Sequence, residues 1–293
     1  MDRRSVIGWT AVALSALFAS LAAFWGAVEA FHEGWYYRDW KMNVAMTLAQ
    51  YLAPMLVFMV AGVVAVRWPR VGAALHLACA GAAAIYFHGG ATLILVAPLA
   101  VLALLYAFGS FSPKWAACVV VAVPTLTMLI SGAYPAYLAF DRVDDGERGA
   151  RTIRGNGVTL VWAPPGPGWP DDGVSWEHAR TTCDCLSADG RVVLPAPQHV
   201  WRLPTVEEAV RSAVRHGGNA GGSWDATART AAYRIPPNKE SPLWNKYSKI
   251  VYWWTATETD AAHALRFVWN GQVHPAPKQA LWGYLAYRCV RSE

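Results

Sequence analysis

Charge is what the first half of this sequence lacks. Only 15% of the 293 residues are Asp, Glu, Lys or Arg, against 55% hydrophobic residues, and most of the charged residues follow Phe140. From Trp115 to Phe140 the chain reads WAACVVVAVPTLTMLISGAYPAYLAF, without one acidic or basic side chain. Such a run, as a helix rising about 1.5 Å per residue, crosses the ~30 Å hydrocarbon core of a bilayer. Cysteine is also sparse, with five in the chain. Cys79 and Cys118 sit in apolar segments and read as small packing residues; Cys183, Cys185 and Cys289 follow Phe140, where a disulfide is expected if that part faces an oxidising compartment. The net charge of +5 comes without a nucleic-acid motif or a basic stripe, because the arginines after Arg142 are scattered, so nucleic acid is not expected as a partner. Charges inside the apolar segments, which a transporter needs, are also missing.

What remains is a membrane part, residues 1–140, joined by a linker, 141–157, to a domain, 158–293, long enough to bury its own core. The apolar run to Ala27 is read as a first span rather than a signal peptide, since it exceeds a usual h-region and further spans follow. A Trp- and Tyr-rich interfacial loop, HEGWYYRDWKMN, leads to spans at Val44 to Val66, Val71 to Phe87, Ala91 to Gly109 and Trp115 to Phe140. The result is an α-helical transmembrane bundle of about five spans. Arg3, Arg4, Arg67, Arg70 and Lys114 then collect on one side and only Arg38 and Lys41 on the other. The positive-inside rule puts the amino terminus in the cytoplasm and the carboxyl-terminal domain outside. His76 and His88 fall in or beside the third span and raise the question of a pigment or metal; His88 precedes two glycines at the membrane edge, His76 has no obvious second ligand at helical spacing, and no cofactor is expected. Gly72, Ala73, Ala80, Gly81 and Ala84 suit close helix packing.

In the carboxyl-terminal part, Ser175 is a helix cap, and Thr205 with Glu208 forms a capping box for a helix from Val206 to His216. Gly221 to Lys249 reads as loops. Strands are expected at Val158 to Trp162, Val251 to Thr255, Ala264 to Trp269 and Tyr284 to Val290, with Asn270-Gly271 as a hairpin turn in which both residues tolerate positive φ. Cys183-Asp184-Cys185 with His178 or His199 spaces its ligands poorly for a closed metal site, so one disulfide and one spare thiol is the preferred reading.

The order Ser175-Trp176-Glu177-x-Ala179-x-x-x-Cys183, Trp201-Arg202-Leu203-Pro204-Thr205-x-Glu207-Glu208, Tyr252-Trp253-Trp254-Thr255-Ala256-Thr257-Glu258, Phe267-x-x-Asn270-Gly271 and Tyr287-Arg288-Cys289-Val290-Arg291 resembles the carboxyl-terminal domain of Lcl (collagen-like adhesin) proteins. That domain belongs to the C-type lectin-like group, which includes the formylglycine-generating enzymes. The membrane half, with Val66-Arg67-Trp68-Pro69-Arg70-Val71-Gly72, resembles small uncharacterised bacterial membrane proteins. The lectin-like resemblance implies an α+β fold and a Cys183–Cys289 disulfide; by helix geometry alone Cys185 remains an alternative partner, since two residues turn a helix by about 200°. The chain departs from both active types. Formylglycine-generating enzymes bind copper through a cysteine pair near the carboxyl end, where this chain has Cys289 alone. Calcium-dependent lectins carry Glu-Pro-Asn or Gln-Pro-Asp with Trp-Asn-Asp, and none of these is present.

These readings lead to a non-catalytic, membrane-anchored binding or scaffold protein of a bacterial inner membrane. Trp224, Trp244 and Trp282 are the expected exposed contacts to a glycan or to other proteins of a large respiratory or photosynthetic complex. The alternatives are a formylglycine-generating-type oxidoreductase with a displaced metal site, or a glycan-binding adhesin.

Overall fold

The computed structural model describes residues 2–87, 90–109 and 113–293. His88 and Gly89, after the third expected span, and Ser110 to Ser112, ahead of the fifth, lie outside them. The chain divides into two compact units, Met1–Trp35 with Asp39–Ala139, and Tyr36–Arg38 with Phe140–Glu293.

The first unit is helical: α1 (Arg3–His32), α2 (Trp40–Met46), α3 (Ala53–Arg67), α4 (Pro69–Tyr86), α5 (Gly90–Phe108) and α6 (Ala116–Phe140). Among the described residues α1 and α6 are long and apolar enough to cross a membrane. The expected span Val44 to Val66 is not one straight helix. A π-helical turn, Thr47–Tyr51, separates α2 from α3, and the two segments meet at 65°, so they form a third candidate only as a bent pair. The cause is local, since Pro54 in the first turn of α3 has no N–H and its ring collides with the carbonyl four residues back.

One face of α1 turns small residues inward, beside buried Phe58, Leu102 and Tyr106 of α3 and α5, and many large apolar residues of the unit face outward. Ala11, Ser15, Ala19, Ala23 and Ala27 of α1 recur every fourth residue on one face, and all are buried. Leu21, Phe24, Ile85, Leu93 and Ile130 are exposed, Ile85 by 82%. A water-soluble bundle does the reverse, because its large apolar side chains gain most from leaving water, whereas in lipid close backbone approach supplies the packing. Gly72 shows how close: a Cβ there lies 2.1 Å from the Ala65 Cα on α3. Gly72→Leu is expected to separate α3 from α4 and cost about 2–3 kcal/mol, read as a lowered unfolding midpoint of the full chain in detergent.

The second unit is α+β. β1 (Arg151–Gly155) and β2 (Val158–Trp162) form an antiparallel hairpin, then come α7 (Trp176–Asp184), α8 (Val206–Ser212), β3 (Val214–Arg215), β4 (Gly218–Asn219), β5 (Ser223–Asp225), β6 (Thr230–Ala232), β7 (Tyr252–Glu258), β8 (His263–Val268), β9 (Val273–Pro277), β10 (Leu285–Ala286) and β11 (Val290–Ser292). β11 returns to pair with β2, giving a sheet in the order β1-β2-β11, and a second sheet runs β10-β7-β8-β9. β9 carries Pro275 and Pro277 on a sheet edge, where a missing N–H breaks no ladder. The β8–β9 turn uses Asn270-Gly271 as expected, but only Gly271 takes positive φ (86°).

The core is aromatic. Trp244 stacks on Trp253 at 3.8 Å, and Trp162 lies 5.6 Å from Trp253. A second cluster holds Trp176, Trp201, Trp254 and Tyr287 around a disulfide, Cys183–Cys289, with Cα atoms 5.6 Å apart; Cys185 is a buried free thiol.

Three expectations are corrected. Residues 141–157 are not a linker: β1 lies there, and Asp141 to Asp145 is tied into the unit. Arg142 Nε donates to Asn238 Oδ1 (2.9 Å), and Val143 N donates to Glu240 Oε2 (2.9 Å). The fully buried Glu240 also accepts from Arg215 Nη1 (3.2 Å) and His216 N (3.1 Å), while Arg215 reaches Asp141. Paired in this way, charges that look solvated in sequence can be buried. Second, α8 stops at Ser212, and Val214 to Asn219 turns into the β3–β4 hairpin. Third, Gly221 to Lys249 holds the β5–β6 hairpin.

The capping box is present, with Thr205 Oγ1 accepting from Glu208 N (3.2 Å) and Glu208 Oε2 from Thr205 N (2.8 Å); the Arg202 guanidinium adds two bonds to the same carboxylate, at 2.6 and 2.7 Å. Burial pushes the Glu208 carboxyl up, but the bonds from Arg202 and Thr205 together outweigh it and hold the group below its ordinary value of 4.5. The stabilisation is therefore complete above that value and is lost as pH falls through the folded-state value. Glu208→Gln is expected to cost about 1–2 kcal/mol at neutral pH and to flatten the stability profile below pH ~4.5, measured by acid titration of the unfolding midpoint.

Candidate functional site

The exposed aromatic surface of the second unit lies on the β10-β7-β8-β9 sheet. Pairing of Trp254 with Arg266 across β7 and β8 places Arg266 on the face of Tyr252, two residues from Trp254 along β7. β10 runs parallel to β7, and the N–H groups of Val251 and Tyr252 both donate to the Tyr284 carbonyl (3.0 and 3.1 Å). Trp282 and Tyr284, just before β10, are brought beside Tyr252 in this way. The Arg266 guanidinium sits between two rings, 4.0 Å from the centroid of Tyr252 and 4.9 Å from that of Trp282. The Tyr284 ring packs 5.4 Å from Tyr252 and 6.2 Å from Trp282. Leu281 is 75% exposed at the rim, and Trp282 and Arg266 are half-buried. Among the described residues Arg266 meets no carboxylate, and its Nε has no hydrogen-bond partner. His274 lies across from Arg266 on β9; burial, then the Arg266 charge, lowers its pKa from the ordinary 6.5. The patch therefore offers flat apolar ring faces beside an unneutralised cation. That combination binds sugar rings, carboxylates and aromatic anchors of a partner, because stacked rings lose little entropy on contact.

Of the sequence-derived contacts, Trp282 belongs to this patch. Trp224, on β5, is half-buried and packs against the core. Trp244 is 2% exposed and stacked on Trp253, so it is a core residue and not a surface contact. Arg266, Tyr252 and Tyr284 were not singled out by sequence; in β8 Arg266 shares its face with the buried Ala264 and Val268, and the opposite face carries the buried Leu265 and Phe267, so the strand's alternation offers no signal for it.

A second concave region opens beside the disulfide, a cavity of about 500 Å³ lined by Asp184, His199, Trp201, Arg202, Arg291 and Ser292 among others. His199 Nδ1 lies 2.6 Å from Asp184 Oδ1, and His199 adopts φ 54°, its N–H and that of Gln198 both donating to the Asp184 carbonyl. Among the described residues no hydrogen bond joins Ser292 to His199, so the nucleophile–base contact of a hydrolase is not formed. The metal combination considered from sequence does not assemble: Cys183 is in the disulfide, Cys185 is buried, and Asp184 and His199 bond each other.

In the helical unit His76 is fully buried, with Nδ1 2.8 Å from the Gly72 carbonyl and its ring 5.3 Å from that of Tyr106, whose hydroxyl bonds Ser15 Oγ at 2.8 Å. His88 lies outside the described residues. Glu29 and His32, on the last turn of α1, with Glu33, its C-cap, are the one group of three possible ligands found among the described residues, and their ligand atoms lie within 4.8 Å of one another. His32 Nδ1 and Glu29 Oε2 already bond at 3.1 Å.

Comparison of the chain with protein-family models, with curated proteins and with solved structures gave no match.

Proposed function

We propose that this chain is a membrane-anchored binding or scaffold protein that displays a C-type lectin-like domain outside a bacterial inner membrane and holds a protein or glycan partner there without chemistry of its own. The observation that carries this reading is the half-buried Arg266 guanidinium held between Tyr252 and Trp282 beside the exposed Leu281, a contact surface whose charge meets no carboxylate among the described residues.

The lectin-like reading is supported by the return of β11 to the opening hairpin and by the Cys183–Cys289 bridge between the first helix of the domain and its last strands. A five-span reading is supported by α4 and α5, which turn Leu77, Ile85, Leu93 and Leu104 outward as α1 and α6 do. α4, 18 residues long, reaches about 27 Å. The α1–α2 connection, Tyr36–Arg38, groups with the second unit, where the Arg38 guanidinium lies 4.6 Å from the Tyr247 ring. The oxidoreductase alternative has less support, since Cys185 is the single free thiol of the domain.

In its most specific form the protein is an accessory subunit of a large membrane complex. The test is gentle detergent extraction, size separation and mass spectrometry of what co-migrates, pigments and metals included. A defined complex that is lost on joint Trp282→Ala and Tyr284→Ala substitution is the expected result. A wild-type chain that runs alone, free of metal and pigment, removes the subunit reading, and glycan and peptide arrays then test the patch directly.

A further inference from the structure

The end of the helical unit that carries Arg4 and Arg70 holds a cleft of about 850 Å³, formed where the start of α1, the α3–α4 turn and the end of α5 meet. Arg4, Trp68, Arg70 and Phe108 are its informative walls. Both arginines are exposed, and among the described residues neither meets a carboxylate. Asp2, the acidic residue nearest in sequence, is occupied in capping α1, its Oδ1 accepting from Ser5 N at 2.9 Å. Arg3, Arg67 and Lys114, near these segments in sequence, add positive charge, and the Arg67 guanidinium lies 5.7 Å from the Trp68 ring. The other character of the cleft is apolar: Trp68, Val71 and Phe108 are all more than half exposed, and Trp9 and Trp115 pack 5.3 Å apart on the first turns of α1 and just ahead of α6, as rings at a membrane–water boundary do.

We propose that this cleft binds the phosphate headgroup of an anionic phospholipid, with an acyl chain lying along Trp68, Val71 and Phe108. Two unpaired guanidiniums supply the charge that a phosphodiester needs, in a geometry that favours paired hydrogen bonds. A zwitterionic headgroup brings its ammonium among those arginines and gains less. Free phosphate fits the arginines but makes no use of the exposed apolar walls, which is why the lipid is the better occupant. The inference rests on the helical unit being in a membrane and on nothing said of the outer domain.

The experiment uses the full chain, delipidated in mild detergent and titrated with phosphatidylglycerol, phosphatidylcholine or inorganic phosphate, with retained adducts read by native mass spectrometry and unfolding midpoints read in parallel. Phosphatidylglycerol is expected to stay bound and raise the midpoint. Arg4→Gln and Arg70→Gln are each expected to weaken it about fivefold, Arg70→Lys to weaken it less, and Lys41→Gln, away from the cleft, not at all. Equal retention of phosphatidylcholine, an equal shift with phosphate alone, or full affinity in both glutamine variants overturns the proposal. Release of the wild-type chain from membranes by an alkaline carbonate wash contradicts the membrane reading instead, so the two failures are told apart.

Discussion

Arg288→Met is expected to unfold the carboxyl-terminal domain at moderate temperature, at a cost of about 4 kcal/mol or more. Arg288 is fully buried and faces carbonyls rather than carboxylates. Its Nε donates to the Ala163 carbonyl at 2.9 Å, and its Nη1 donates to those of Pro242 and Leu243 at 2.9 and 2.6 Å. The guanidinium also stacks 3.7 Å from the Trp169 ring. Burial, with Arg151 and Arg148 nearby, drives its pKa well below the ordinary arginine value, so the charge itself is costly. Methionine relieves that cost but takes the guanidinium donor from the carbonyls of Ala163 and Leu243, bonded within the core, and from the part-buried Pro242 carbonyl, and this loss is the larger because each unpaired buried group costs about 1–3 kcal/mol. Lysine restores a charge but not the planar fork or the stacking. Arg288→Lys is therefore expected to fall near methionine, and a lysine variant as stable as wild type contradicts the assignment. Denaturant unfolding of the full chain in detergent, followed by tryptophan fluorescence, reads the difference.

The second large effect is expected from the disulfide. Cys183 and Cys289 are 106 residues apart, and closing so long a loop restricts the unfolded chain by about 4–5 kcal/mol in the chain-entropy model. Reduction, Cys183→Ser and Cys289→Ser are expected to lower the unfolding transition by similar amounts, and Cys185→Ser by no more than about 1 kcal/mol, since Cys185 crosslinks nothing. Equal loss in all three serine variants contradicts the pairing.

These residues differ in how legible they were. The helix caps at Ser175 and Thr205 could be read because a cap is a local pattern whose partner lies three residues away. The apolar helices were legible for the same reason, although not the break ahead of Pro54, which one proline signals only weakly. Trp244 was misread because its stacking partner, Trp253, arrives from a strand nine residues on. The supposed linker was misread because Arg142 and Val143 find Asn238 and Glu240 about ninety-six residues away, and a charged stretch with distant partners has the composition of a solvated one. The aromatic patch was half visible: Trp282 stood out as a residue type, whereas Arg266 acquires its place only when β7, β8 and β10 come together.

The account turns on which side of the membrane the carboxyl-terminal domain occupies. Protease added to the outside of bacterial spheroplasts expressing the full chain, and separately to inverted inner-membrane vesicles, tests this most directly. The reading predicts that, once the disulfide is reduced, residues after Phe140 are cut in spheroplasts and protected in inverted vesicles. Protection in spheroplasts with cutting in inverted vesicles puts the domain in the cytoplasm, and contradicts both the odd number of crossings and the outer binding surface.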